Sequence, residues 1–276
     1  MSRLSRSLIV AMALLGYAVE ARAGEISWYT DLKTASAAAQ KANLPMFIDF
    51  WAEWCAPCIA MDAHVYTNPN VIAVFKRRII GVRLHFDMHR ELARTYNVGA
   101  LPHLVFANSH GMPLVFHRGF LGAGDLTNVV NAIPPIAEIN SLDVRLRQDR
   151  NSFADLLAMA RALRTAGFFE AGTAYYDRAS RHTRARTSAE LRQSILYEMA
   201  LSFLELRDGA RAAALLEKSL KERPGSVAEP EFLLALGRAY VMSGMHAKAR
   251  QSFDAIVRYY PQTAAAAKAR VLMNSQ

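Results

Sequence analysis

Cysteine is almost missing from this chain: its 276 residues include two, Cys55 and Cys58. That scarcity excludes a framework of structural disulfides and a four-cysteine zinc site. Proline is sparse too, at ten residues, and no low-complexity tract interrupts the sequence, so nothing in it points to disorder. Acidic residues are outnumbered 24 to 33 by lysine and arginine, leaving a formal charge of +9. Such a balance favours acidic partners or anionic membrane surfaces, although any single arginine cluster is more often a solvated basic face.

The first residues bear on location. Arg3 and Arg6 precede an apolar stretch from Leu8 to Val19, and Ala21-Arg22-Ala23 forms a small-x-small pattern just before Gly24. The stretch is too short to span a bilayer comfortably. A cleaved signal peptide over residues 1–23 is expected, with an uncleaved anchor as the alternative. No cysteine stands at the cleavage point, which argues against a lipoprotein, and the final Met-Asn-Ser-Gln is not a reticulum-retention signal. The expected location is a bacterial periplasm. The mature chain stays basic, and in a sequence that is 52% hydrophobic overall it is long enough for two domains with cores of their own.

The two cysteines sit together in Trp54-Cys55-Ala56-Pro57-Cys58, directly after the apolar run Met46-Phe47-Ile48-Asp49-Phe50-Trp51. A pair two residues apart at a strand-to-helix junction can close into a small ring, and a helix start lowers the pKa of the leading thiol. Redox chemistry is the expected use. Half a zinc site lacks its second pair, and an inert staple across so short a loop would stabilise little.

From residue 24 to 133 the pattern alternates. A helix is expected over 31–42 with Asp31 as N-cap, then a buried strand over 46–51 and a helix from Cys55 that breaks near Asn68-Pro69-Asn70 and resumes over 71–76. A strand over 79–84, a short helix over 90–96, strands over 103–107 and 114–117 around a turn at His110-Gly111, and a helix over 125–133 complete it. The order is β-α-β-α-β-α-β-β-α, with no residues assigned to the first strand.

Two separated motifs carry a resemblance. Residues 48–58, Ile-Asp-Phe-Trp-Ala-Glu-Trp-Cys-Ala-Pro-Cys, and residues 96–102, Tyr-Asn-Val-Gly-Ala-Leu-Pro, match the two signatures of the thioredoxin family at the right distance apart. Residues 24–133 therefore resemble an α/β thioredoxin domain. Two departures bear on redox potential and partner choice: Ala56 replaces the usual glycine, and Leu101 the threonine before the cis-proline. The resemblance implies that Cys55 is the exposed attacking thiolate and Cys58 the resolving thiol, with Pro57 stiffening the first helical turn. Asp49 matches the family's buried acid, which takes the Cys58 proton. Arg83 falls where a lysine is common. It would hold Asp49 more firmly ionised, or it is a surface cation at a strand end. Pro102 is expected in cis, the Leu101 backbone holding an extended client beside Cys55 and Trp54 forming an apolar shoulder. No cofactor is implied.

His85 and His89 are four apart, but they straddle a strand end and a loop and lack an obvious third ligand, so no metal is expected. His103 follows Pro102, yet strand alternation can point it away from the site.

Beyond Ile133-Pro134-Pro135 the composition turns helical and alanine-rich. Residues 134–151 read as a linker or transition helix and 152–276 as a repeat domain. Leu233, Leu236-Gly237, Tyr240, Ala249, Phe253 and Pro261 stand at tetratricopeptide spacings. An earlier copy has Leu196, Met199-Ala200, Phe203, Ala212, Leu216 and Pro224. A weaker one has Leu156, Met159-Ala160, Leu163, Gly172 and Tyr176, with Arg184 in place of the proline. The resemblance implies an all-α tetratricopeptide-like domain that docks a protein, against a plain helical bundle that stabilises the chain or packs on its neighbour. The function expected is an exported thiol-disulfide oxidoreductase acting on protein disulfides. A membrane electron donor of the Dsb type would recharge it, the repeats would recruit a client, and no nucleic acid is involved. The alternative is a periplasmic chaperone or assembly scaffold with an accessory thioredoxin domain.

Overall fold

The computed structural model describes residues 24–222, 225–226 and 228–274. The expected signal peptide and Pro224 of the repeat pattern lie outside them. Five strands, β1 (Trp28–Tyr29), β2 (Met46–Trp51), β3 (Ile80–His85), β4 (His103–Ala107) and β5 (Pro113–Arg118), form one sheet in the order β1-β3-β2-β4-β5. β1 and β2 run parallel to β3, β4 runs antiparallel to β2, and β5 antiparallel to β4. The central strand β2 is buried on both faces, which is why it reads as an unbroken apolar run around one acid, Asp49. β1 is only two residues long, too short to show alternation in sequence.

Alternate residues of β2 face different helices. Met46, Ile48 and Phe50 pack with Ala35 and Ala39 of α1 (Leu32–Ala42) and Ala93 of α4 (Arg90–Thr95). Phe47 packs on the other side with Met61 of α2 (Ala56–His64), Val71 and Phe75 of α3 (Pro69–Arg78), and Leu126 and Val130 of α5 (Ala123–Ala132). The capping chemistry explains the boundaries. Asp31 Oδ2 accepts from the Thr34 amide at 2.7 Å and starts α1, and Asn43 ends it in the left-handed conformation at φ 51. The break near residue 68 is real because Asn68 Oδ1 accepts from the Asn70 amide at 2.9 Å while Pro69 opens the next turn.

Residues 134–151 contain α6 (Ala137–Gln148), which is packed into the body of the protein. Ile136, Ile139, Leu142 and Leu146 recur at helical spacing and join the same apolar cluster as Leu104 and Phe106 of the sheet. A polar seam fixes the junction. Asn108 Nδ2 donates to Asp143 Oδ2 at 3.1 Å, the Ser109 amide to Asn140 Oδ1 at 3.3 Å, and Arg147 Nη2 to the His110 carbonyl at 3.2 Å. The cluster continues into α7 (Phe153–Thr165) and α8 (Phe169–Arg181). The early helices of the repeat region thus share a core with the sheet domain.

The repeats stack as helix pairs: α7 with α8, α10 (Ala189–Glu205) with α11 (Gly209–Glu222), and α12 (Glu229–Met242) with α13 (His246–Tyr259), followed by α14 (Ala264–Asn274). A short α9 (Thr183–Thr187) occupies the basic insertion between α8 and α10. Leu163, Tyr176, Ala200, Phe203, Leu216, Leu236, Ala249 and Phe253, all at repeat positions, are buried. Gly237 shows why one of them is small. A Cβ there would lie 2.2 Å from Cε1 of Phe253, whose ring is fully buried and has nowhere to move. Gly237→Ala is therefore expected to destabilise the repeats by about 1–3 kcal/mol, the usual cost of overpacking. Urea unfolding reads the loss, and a midpoint equal to that of the parent chain would show that α12 and α13 part at no cost.

Candidate active site

β2 carries the chain into the site, and the backbone turns at Ala52, Glu53 and Trp54 before α2 begins. Cys55 is the N-cap of that helix: its backbone is extended (φ −89, ψ 96), and its Sγ accepts from the Cys58 amide at 3.2 Å. A sulfur so placed meets a first-turn amide and the positive end of the helix dipole, both of which favour thiolate over thiol. Cys55 and Cys58 are joined in a disulfide with an S–S distance of 2.04 Å. Pro57 lies in the first turn of α2, where an N–H would have no helical partner.

The expectation of an exposed Cys55 is corrected. It is 4% exposed and Cys58 1%, because Ala52, Trp51 and Leu101 pack around the pair. Leu101, bulkier than the threonine usual in the resembling family, closes the site from the loop before β4. The Leu101-Pro102 peptide bond is cis. Trp54, by contrast, is 65% exposed, and its indole N–H donates to Asp87 Oδ2 at 2.9 Å. That bond, with a second from Arg90, holds the Asp87 carboxyl below its ordinary value.

Asp49 lies in register with Arg83 on β3 and Leu104 on β4 and is buried. Its Oδ2 accepts from Tyr66 Oη at 3.0 Å, and Arg83 Nε lies 3.3 Å from the same oxygen. Burial pushes the Asp49 carboxyl up to about 6, against the opposing pull of Arg83 and then of Tyr66. Arg83 draws Asp49 toward ionisation, but desolvation is the larger effect. Arg83 is no surface cation: its side chain is 16% exposed, it pairs with Asp49 and Asp62, and it stacks on the Trp51 ring at 4.3 Å.

Residues 27–115 match the family model described as thioredoxin-like, and residues 203–271 match that of the tetratricopeptide repeat. The chain joins a thioredoxin-like domain to tetratricopeptide repeats. Over 64 residues it is 36% identical to Thioredoxin 1 of Chlorobaculum tepidum, covering 23% of this chain and 60% of that protein. It is 28% identical to the thiol:disulfide interchange protein TxlA of Synechococcus elongatus, covering 48% of this chain and 75% of that one. The thiol:disulfide interchange protein DsbD of Vibrio vulnificus is 25% identical, with 46% of this chain and 26% of the relative covered.

Three polar residues of the thioredoxin-like site were not singled out from sequence: Asp62, Tyr66 and Asp87. Asp62 and Tyr66 follow Cys58 in steps of four, so one stripe of α2 and the turn after it turns all three toward the sheet. That spacing was the available signal. Asp87 lies in the loop after β3, where no periodicity marks it.

The histidines are engaged separately. His85 Nε2 contacts Glu53 Oε2, and the His89 ring bonds the His85 carbonyl. His103 is fully buried between the rings of Phe50 and Phe116, on the sheet face that α1 and α4 cover and away from Asp49. Burial, and secondarily Arg118, lowers its pKa.

Proposed function

We propose that this chain is an exported oxidoreductase that reduces disulfides in protein clients. The observation that carries the reading is Cys55 capping α2, with the Cys58 amide on its sulfur and the two cysteines already able to bond to each other. Cys55 Sγ attacks one sulfur of a client disulfide, forming a mixed disulfide and releasing the first client thiolate. Cys58 passes its proton to Asp49 and attacks Cys55 Sγ. The Cys55–Cys58 bond forms as the second client thiolate leaves. Two electrons pass from the dithiol to the client, so a thiol donor must then reduce the pair. In an oxidising compartment that donor works from the membrane, and the similarity to DsbD supports a donor of the Dsb type.

The repeats recruit the client in this reading. Support comes from the tetratricopeptide match over residues 203–271 and from α7 and α8 before it, which share a core with the thioredoxin-like domain and pack on α10, so that a docked protein would be held at a constant distance from Cys55. Export rests on the pattern of residues 1–23.

The Ala56-Pro57 dipeptide is closer to that of thioredoxins than to that of strong oxidants. The couple should therefore lie nearer about −270 mV than about −120 mV. Equilibration of the full chain with glutathione or dithiothreitol buffers measures it. Purified chain should also speed insulin reduction by dithiothreitol, and in a bacterial host the processed protein should start at Gly24 in the periplasmic fraction. A potential near that of a strong oxidant, with no effect on insulin, would sink the reductase assignment.

A further inference from the structure

The placement of Arg83 raises a question that the cysteine chemistry leaves open. A buried arginine beside a buried aspartate ordinarily forms a two-pronged bond with it and keeps it ionised. Here the prongs go elsewhere. Arg83 Nη1 lies 2.9 Å from Asp62 Oδ1 and Nη2 donates to Asp62 Oδ2 at 3.3 Å, so the flat end of the guanidinium is committed to α2. Asp49 receives only Nε, near in distance but without hydrogen-bond alignment, and its Oδ1 has no hydrogen-bond partner among the described residues. The guanidinium stacks on Trp51 at 4.3 Å, with Trp28 and Tyr66 each 5.6 Å away, and the Asp62 bonds set which of its nitrogens face α2.

We propose that Asp62 is a positioning residue: by holding the Arg83 guanidinium it keeps Asp49 undercompensated, and therefore able to accept the proton that Cys58 must lose. The last step rests on the reductase reading; the positioning does not. The groups that bear on Asp49 are Arg83 from β3, Asp62 from α2 and Tyr66 from the turn after α2, while β4 contributes the apolar Leu104. Asp62 raises the proton affinity of Asp49 in two ways, by its own charge and by occupying the arginine. Tyr66 acts the other way, since its hydroxyl donates to the ionised carboxylate. Opposite effects are therefore built into one helical stripe.

The test is a carbon-13 titration of aspartate carboxyls in the full chain, in the disulfide form so that neither cysteine titrates. The Asp49 signal is assigned by its loss in Asp49→Asn. In Asp62→Asn the freed guanidinium turns onto Asp49, and the midpoint should fall by about one pH unit, tenfold in proton affinity. Asp62→Glu should keep the parent midpoint, because a carboxylate still holds the arginine. Tyr66→Phe should move the midpoint upward. Asp62 is partly exposed, so its replacements leave the core intact. A midpoint unchanged in Asp62→Asn, equal shifts in the Asn and Glu variants, or a downward shift in Tyr66→Phe would each overturn the proposal. The titration needs no client. Expected midpoints in a chain that fails to reduce insulin would support the positioning role and refute the reductase reading.

Discussion

Cys55→Ser is expected to reduce insulin turnover to the rate of dithiothreitol alone, while Cys58→Ser leaves the first attack intact and accumulates mixed disulfides. The asymmetry follows from the helix geometry. Cys55 alone receives the amide of a residue further along the helix, so its thiolate is the stabilised one and the better leaving group. Exposure does not separate the two sulfurs, at 4% and 1% in the disulfide form; Cys58 sits one turn inside α2, within bonding reach of Cys55, which suits it to resolution. Turbidity of insulin with dithiothreitol reads turnover, and a non-reducing gel with alkylation reads the trapped adducts. Since the chain has no other cysteine, every adduct in Cys58→Ser must be through Cys55. Full turnover in Cys55→Ser would refute the dithiol mechanism, and adducts in that variant instead would reverse the order of attack.

Much of this site was legible in sequence because its parts are local. The cysteine pair, Pro57 and the apolar run before them lie within one strand and one helical turn, and the second motif marks Pro102. The elements of residues 24–133 followed the apolar periodicity to within a residue or two. What could not be read is what depends on approach between distant segments. Arg83 is an ordinary strand residue until β3 lies beside β2 and sets it in register with Asp49. Cys55 reads as exposed until Leu101, 46 positions on by number, folds over it. Residues 134–151 read as a connection because Pro134 and Pro135 open them, yet the apolar spacing of Ile139, Leu142 and Leu146 finds a partner in the neighbouring sheet domain. The stripe of Cys58, Asp62 and Tyr66 was present in the spacing, but its meaning needed the arginine across from it.

Asp49→Asn should separate stability from activity. Burial raises the folded-state carboxyl from an ordinary value of 3.8 to about 6. Between those values the folded protein keeps a proton that the unfolded chain has released. The stabilisation linked to that proton is present below about pH 4 and is lost as pH rises through about 6. The difference corresponds to about 3 kcal/mol at neutral pH, all of it a penalty for keeping a charged carboxylate in the core. An asparagine carries no such penalty and retains an oxygen for the Tyr66 hydroxyl. The variant should therefore be more stable at pH 7 by up to about 3 kcal/mol, with the gain vanishing near pH 4. Its chemistry should suffer, because an amide cannot take the Cys58 proton. Single-turnover reduction should slow on the order of a hundredfold, the lower end of what a positioned base contributes. Urea unfolding at pH 4 and pH 7, beside stopped-flow client reduction, measures both. A stability gain of the same size at both pH values would mean that the carboxyl takes up no extra proton on folding, so that burial does not raise it. An unchanged reduction rate would mean that the Cys58 proton leaves by another route. The two effects share one cause, since the burial that costs stability at neutral pH is what makes the carboxylate basic enough to act.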